Sequence, residues 1–278
     1  APGSHDHCPQ TPKTHMTYCV GILLEAGMVF ASDSRTNAGV DHVSTFKKMK
    51  VFERPGDRVI AILSSGNLSV TQNAINLLEV WSRRNETQEQ RTKNLWAAES
   101  LYEVAGMLGD ALREVRQRDS AYLQQHNIDS SASFIIGGQI RGEAMRLFML
   151  YSEGNFIEAT PETPFFQIGE TKYGKPIIDR VVTPATSLVA AAKCVLVSFD
   201  STMRSNVSVG LPIDMLWYER DSLAKGMERR IQETDPYYQM IHSQWGEGLK
   251  RIFMQLPDPE WKQGEPTPAL QQQAQIFK

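Results

Sequence analysis

The sequence predicts an α+β fold: a four-layer αββα sandwich of two antiparallel sheets packed face to face, with helix pairs outside and a helical extension at the C-terminus. Three observations lead there. Four apolar, β-rich runs crowd into the stretch from Thr17 to Ser64, joined by turn residues with no helix between them. Two helical patterns follow, then further strands, then two more helical patterns. Grouped strands and grouped helices are not the alternation of a parallel, doubly wound sheet.

Thr17 to Glu25 (TYCVGILLE) is the first strand, Ala26-Gly27 a turn signal, and Met28 to Thr36 (MVFASDSRT) the second strand. The length of that turn decides which face Asp33 takes. A two-residue Ala26-Gly27 turn pairs Val20 with Asp33, whereas a three-residue loop with Gly27 left-handed pairs Cys19 with Asp33 and sets Asp33 on the face of Thr17. The chemistry below requires the second form, or a bulge of the same effect.

Phe46 to Phe52 and Arg58 to Ser64 are the next strands, separated by Pro55-Gly56-Asp57. Alternation would turn Lys48 and Lys50 one way and Lys47 with Met49 the other. Helices follow over Ser69 to Arg83 and Ala97 to Gln125, the latter with a broad apolar stripe from Leu101 to Val115. Strands return at Ala132 to Ile140, Met145 to Ser152 and Phe156 to Thr160, and helices at Lys172 to Val182 and Ala185 to Ser198. A last strand, Pro212 to Tyr218, leads into a helical tail. One stripe there is Leu223, Met227 and Ile231; another runs from Tyr238 to Phe253 after Asp235-Pro236. The end, from Pro257, is rich in Gln and Pro and is expected to fray.

Three divisions result: residues 1–16 as a leader or cloning-derived segment, 17–218 as the main domain, and 219–278 as the helical extension. The 278 residues are 41% apolar and 22% charged, the make-up of a globular protein with a core of ordinary size. A net charge of −3 gives no basic field for nucleic acid or anionic membrane. The charged run Arg83 to Lys93 carries both signs and reads as a solvated loop. Three cysteines cannot build a disulfide framework, and their odd number points to a reducing compartment. With no spanning helix and no signal peptide in the pattern, the expectation is a cytoplasmic chain. His5, His7, Cys8 and His15 lack the paired spacing of a metal site, so no metal or cofactor is expected.

A threonine hydroxyl needs a base beside it, and a threonine at a chain terminus carries its own in the α-amine, of pKa about 7.7 to 8.0. A lysine ammonium nearby lowers that pKa by like-charge repulsion, and an aspartate holds the lysine charged and in place. Thr17, Lys48 and Asp33 supply those three groups if they converge. An acid in the apolar run VFASDS either ends its strand in solvent or is buried with a partner.

These residues resemble a known family. TYCVGILLEAGMVFASDSRT followed by FKKMKVF is similar to the start of proteasome β-type subunits, the N-terminal nucleophile hydrolases, and most of all to the bacterial proteasome-like Anbu group with its C-terminal helical extension. Thr17, Val20, Gly21 and Asp33 stand at the family's spacing, and Lys48 comes one residue early, the shortening falling in the loop Asn37 to Thr45. The resemblance implies Thr17 as nucleophile and, through its amine, base; Lys48 as the group tuning that amine; and Asp33 as its partner. It implies Asp200 and a serine, Ser201 or Ser205, as support for the N-terminus. It also implies self-assembly into a ring or spiral enclosing sites for peptides.

Two departures bear on activity. Glu170 stands where the family has a serine, and a carboxylate there would raise the amine's pKa. The strand that supplies an oxyanion-binding N–H ends in ILSSGN, with Leu63 or Ser64 in place of a glycine, which would crowd the acyl pocket. The expected function is therefore an N-terminal-threonine peptidase or amidase of low or selective activity. The alternatives are an idle assembled scaffold and a narrow small-molecule amidase. With residues 1–16 attached the nitrogen of Thr17 is an amide, and the enzyme is expected to be blocked.

Overall fold

The computed structural model describes residues 17–37, 43–83 and 93–259. The leader, the middle of the Asn37 to Thr45 loop, most of the Arg83 to Lys93 run and the end of the Gln- and Pro-rich tail lie outside the described residues.

Five strands build one antiparallel sheet, in the order β10 (Phe165–Gly169), β1 (Tyr18–Leu24), β2 (Gly27–Asp33), β11 (Ile213–Glu219) and β12 (Glu228–Ile231). Five more build the second, in the order β5 (Met49–Arg54), β6 (Arg58–Gly66), β7 (Ala132–Ile140), β8 (Arg146–Leu150) and β9 (Phe156–Glu158). A short ribbon of β3 (Arg35–Asn37) and β4 (Val43–Thr45) stands apart. Helices α1 (Leu68–Arg83) and α2 (Leu101–Gln125) cover the second sheet, with Leu101, Val104, Leu108 and Leu112 packed on Ile60, Ile62 and Phe134. Helices α3 (Lys175–Val181) and α4 (Leu188–Ser205) cover the first, with Val195 and Phe199 on Tyr18, Val20 and Met215. Between the sheets lie Cys19, Phe30, Leu63, Ile135 and Leu216. This is the expected four-layer αββα sandwich.

Several local expectations are corrected. The β1–β2 loop is the two residues Glu25 and Ala26, and Gly27 pairs with Leu24 as a strand residue. Gly27 has φ +152°, and a Cβ there would stand 2.0 Å from the Tyr218 carbonyl oxygen, so its place is fixed by β11 and not by the turn. The register accordingly sets Ser32, not Asp33, against Cys19.

Helix α4 does not stop at Ser198. Ser187 caps its start and nothing breaks it until Asn206, which is extended. Asp200 and Ser201 are therefore helical residues. The stripe Leu223, Met227 and Ile231 is not helical either: Glu228–Ile231 pairs with β11 as an edge strand, Ile213 opposite Ile231. Strand β10 has no counterpart among the strands expected from the sequence. The final helix α5 (Pro236–Gln255) is capped by Asp235 and buries Tyr238 and Ile241 against α4.

Candidate active site

The site forms where one end of each sheet meets the other. Thr17 immediately precedes β1 and is only 4% exposed. Its carbonyl accepts the backbone N–H of Glu170 at 2.7 Å. The next N–H, that of Tyr18, donates to Asp33 Oδ1 at 3.1 Å, so the carboxylate adjoins the Thr17–Tyr18 peptide. Tyr18 is itself pinned: its hydroxyl meets Gln167 Nε2 at 2.5 Å and Ser198 Oγ at 3.0 Å, and its ring packs 4.5 Å from that of Phe199.

Lys48 comes from the second sheet, one residue before β5, and is 6% exposed. Its Nζ donates to both oxygens of Asp33, at 2.9 and 3.0 Å, and to the Arg35 carbonyl at 2.6 Å. Strand alternation does not govern it: Lys48 and Met49 are both buried, and Lys50 turns out to Glu79. Nor does a face shared with Thr17 bring Asp33 here. Asp33 is the last residue of β2, and from that end its carboxylate reaches both the first N–H of β1 and the lysine across the sheets.

Burial pushes the Asp33 carboxyl up to about 6. The Lys48 ammonium, and the N–H groups of Tyr18 and Gly210, hold it below what burial alone would impose. Burial also pushes the Cys19 thiol up, so it stays a neutral core group beside the pair.

Of the expected oxyanion residues, Leu63 lies fully buried between the sheets. Ser64 donates its backbone N–H to the Lys48 carbonyl at 2.9 Å, which anchors the lysine. Among the supporting residues, Asp200 is held by the final helix. Its Oδ1 meets His242 Nδ1 at 2.6 Å and Tyr238 Oη at 3.4 Å, both on α5. Ser201 is half-buried on α4, and Ser205 is exposed at its end.

Glu170, singled out in the sequence as a departure, does lie at the Thr17 backbone. Glu170 is 5% exposed, and its Oε2 accepts Asn206 Nδ2 at 2.9 Å, while Asn206 Oδ1 accepts the Ser208 N–H at 2.9 Å. Asn206 and Gly210 were not singled out in the sequence; the only signal was the long run between α4 and Ile213, rich in Ser, Asn and Gly. Gly169 delivers Glu170. It has φ +84°, and a Cβ there would stand 1.8 Å from the Thr17 carbonyl oxygen, so no other residue fits that bend.

No family model and no curated protein matches the chain. Solved structures do. Anbu (ancestral beta-subunit) from Yersinia bercovieri is 50% identical, with a TM-score of 0.81 over 88% of this chain and 100% of that one. The chain belongs to the Anbu family. Anbu from Hyphomicrobium sp. strain MC1 is 45% identical, with a TM-score of 0.81 over 88% of this chain and 100% of that one. Anbu from Pseudomonas aeruginosa, solved as a helical assembly, is 47% identical, with a TM-score of 0.83 over 89% and 100%. The proteasome-like sandwich of this chain is thus the Anbu fold. Among the described residues no helix is long and apolar enough to cross a membrane, and no group of His, Cys, Asp and Glu is arranged to hold a metal.

Proposed function

We propose that this Anbu chain is an N-terminal-threonine amide hydrolase acting on peptides through an acyl-enzyme. The observation that carries the reading is the buried Lys48–Asp33 pair set against the Thr17–Tyr18 peptide. Once Thr17 is a chain terminus, its α-amine takes the hydroxyl proton as Oγ attacks the scissile carbonyl carbon. The resulting ammonium gives that proton to the leaving nitrogen as the C–N bond breaks. Water, deprotonated by the same amine, then hydrolyses the ester and restores the hydroxyl. Lys48 keeps the amine available by repulsion, and Asp33 keeps Lys48 charged.

The test is direct. Residues 1–16 are removed so that Thr17 is free, and intact mass is measured after a threonine-reactive β-lactone or epoxyketone. One adduct, abolished by Thr17→Ala, is the expected result; no adduct on folded protein sinks the reading. An adduct without peptide turnover favours the narrow amidase.

The idle-scaffold reading has one observation in its favour. Both Asp33 oxygens and the Arg35 carbonyl occupy the three N–H donors of Lys48, leaving none for the Thr17 hydroxyl in this arrangement. An unreactive Thr17, with assembly intact, would decide for it.

Self-assembly is part of the proposal, since the Pseudomonas aeruginosa relative forms a helical assembly. The surface offered is the outer end of α5, where Leu249, Ile252, Phe253 and Met254 are exposed. We place the assembled enzyme in the cytoplasm, with residues 17–218 as its hydrolase domain and 219–278 as an extension serving assembly.

A further inference from the structure

The last rung between β1 and β10, Tyr18 with Gly169, leaves Glu170 next to Thr17. Tyr18 pairs with Gly169, and the Glu170 N–H bonds the Thr17 carbonyl, so the two backbones stay in contact one residue beyond the ladder. Two buried acidic residues thus adjoin the Thr17 backbone, Asp33 at the N–H that follows it and Glu170 at its carbonyl. Asp33 is neutralised by Lys48. Glu170 is held by a neutral amide, Asn206, and enters none of the ion pairs found among the described residues. A buried carboxylate without a cation is costly, and a cation arriving beside it is correspondingly favoured.

We propose that Glu170 receives the α-ammonium of a free Thr17, as a positioning residue that acts on the reaction through that nitrogen. The proposal rests on Thr17 being a chain terminus in the working protein. Asn206 fixes the Glu170 carboxylate, and the loop carrying Asn206 also supplies the Gly210 N–H to Asp33. Both carboxylates are thus aimed from one segment. The charged groups around the Thr17 nitrogen are Asp33 at the end of β2, Lys48 before β5 and Glu170 after β10. Arg35 of β3 packs on Gly210, and Ser65 of β6 lies against Gly169. Lys48 disfavours an ammonium at this point and Glu170 favours it. The base of this site then works at higher pH than Lys48 alone would set, and Asn206→Ala should release part of that hold.

The test uses the chain freed at Thr17, which removes none of the described secondary structure, since β1 begins at Tyr18. Acylation of the α-amine by an amine-selective reagent is followed against pH and read by mass on the N-terminal peptide. This gives the protonation midpoint with no reference to activity. Glu170→Gln keeps an acceptor for Asn206 and removes the charge; it should lower the midpoint by about one pH unit, a tenfold loss of proton affinity. Glu170→Asp should retain most of the wild-type value. An unchanged midpoint in folded Glu170→Gln, or in Asn206→Ala should the first not fold, overturns the proposal. β-Lactone labelling in parallel separates the two readings. A shifted midpoint without any adduct leaves Glu170's role standing and removes the hydrolase. An adduct formed with identical pH dependence in every variant does the reverse.

Discussion

The Lys48 ammonium bridges both oxygens of Asp33, and neither side chain has more than 6% of its surface exposed. Such a pair contributes little over an apolar substitute, but breaking it is expensive because one charge is left buried alone. Lys48→Met should cost about 3 to 5 kcal/mol of unfolding free energy. Lys48→Met with Asp33→Asn should recover a large part of that loss. Urea denaturation of the two variants checks it, and equal stability of wild type and Lys48→Met would contradict the burial of the pair.

The pH dependence follows from Asp33. Its carboxyl, ordinarily near 3.8, is pushed to about 6 in the fold. Between those values the folded chain holds a proton that the unfolded chain has released, so this group makes stability fall as pH rises from about 4 to about 6. Activity runs the other way: below about 6 the aspartate is neutral and Lys48 loses its counter-charge. β-Lactone labelling of a free Thr17 should therefore drop as pH falls through about 6. Asp33→Asn should flatten the stability slope in that window.

Gly169→Ala meets both a positive φ and the Thr17 carbonyl. Even the backbone preference alone costs about 1 to 2 kcal/mol, and the contact adds to it. The end of β10 should part from β1, seen as faster hydrogen exchange of the Glu170 amide and a lower melting temperature. Protection equal to wild type would mean that the 2.7 Å bond from Glu170 to Thr17 does not hold the strand end.

Asp200→Asn addresses the sequence expectation that this acid supports Thr17. Its partners His242 and Tyr238 lie on α5. The substitution should loosen α5, with faster exchange around Ile241, while labelling at Thr17 keeps its rate. A fall in labelling with α5 undisturbed would restore Asp200 to the site.

The outer end of α5 leaves Phe253 71% exposed. Ile252→Asp with Phe253→Asp should shift the sedimenting species to smaller size without lowering the melting temperature of the subunit. A size unchanged from wild type would place the assembly surface elsewhere.

Grouped strands and helices made the layers legible in the sequence, because apolar period and turn residues act locally. Thr17, Asp33 and Lys48 were legible as residue types at a spacing. The path by which they meet was not. The register of β1 and β2 is set by Gly27 under the Tyr218 carbonyl, a contact made between residues far apart in the chain. Strand β10 is short and lies between prolines and a glycine, so its period was too brief to read. Helix α4 outran its apolar stretch because Ser201 to Ser205 contains no breaker, which makes Asp200 and Ser201 helical residues.

One segment, residues 206 to 212, has its first residue on Glu170, its fifth on Asp33 and its last on the backbone of Ser34. The two acids cannot then be adjusted one at a time by changes in this segment. Lengthening or shortening it by a residue would move both, so substitutions should be accepted here far more readily than insertions or deletions.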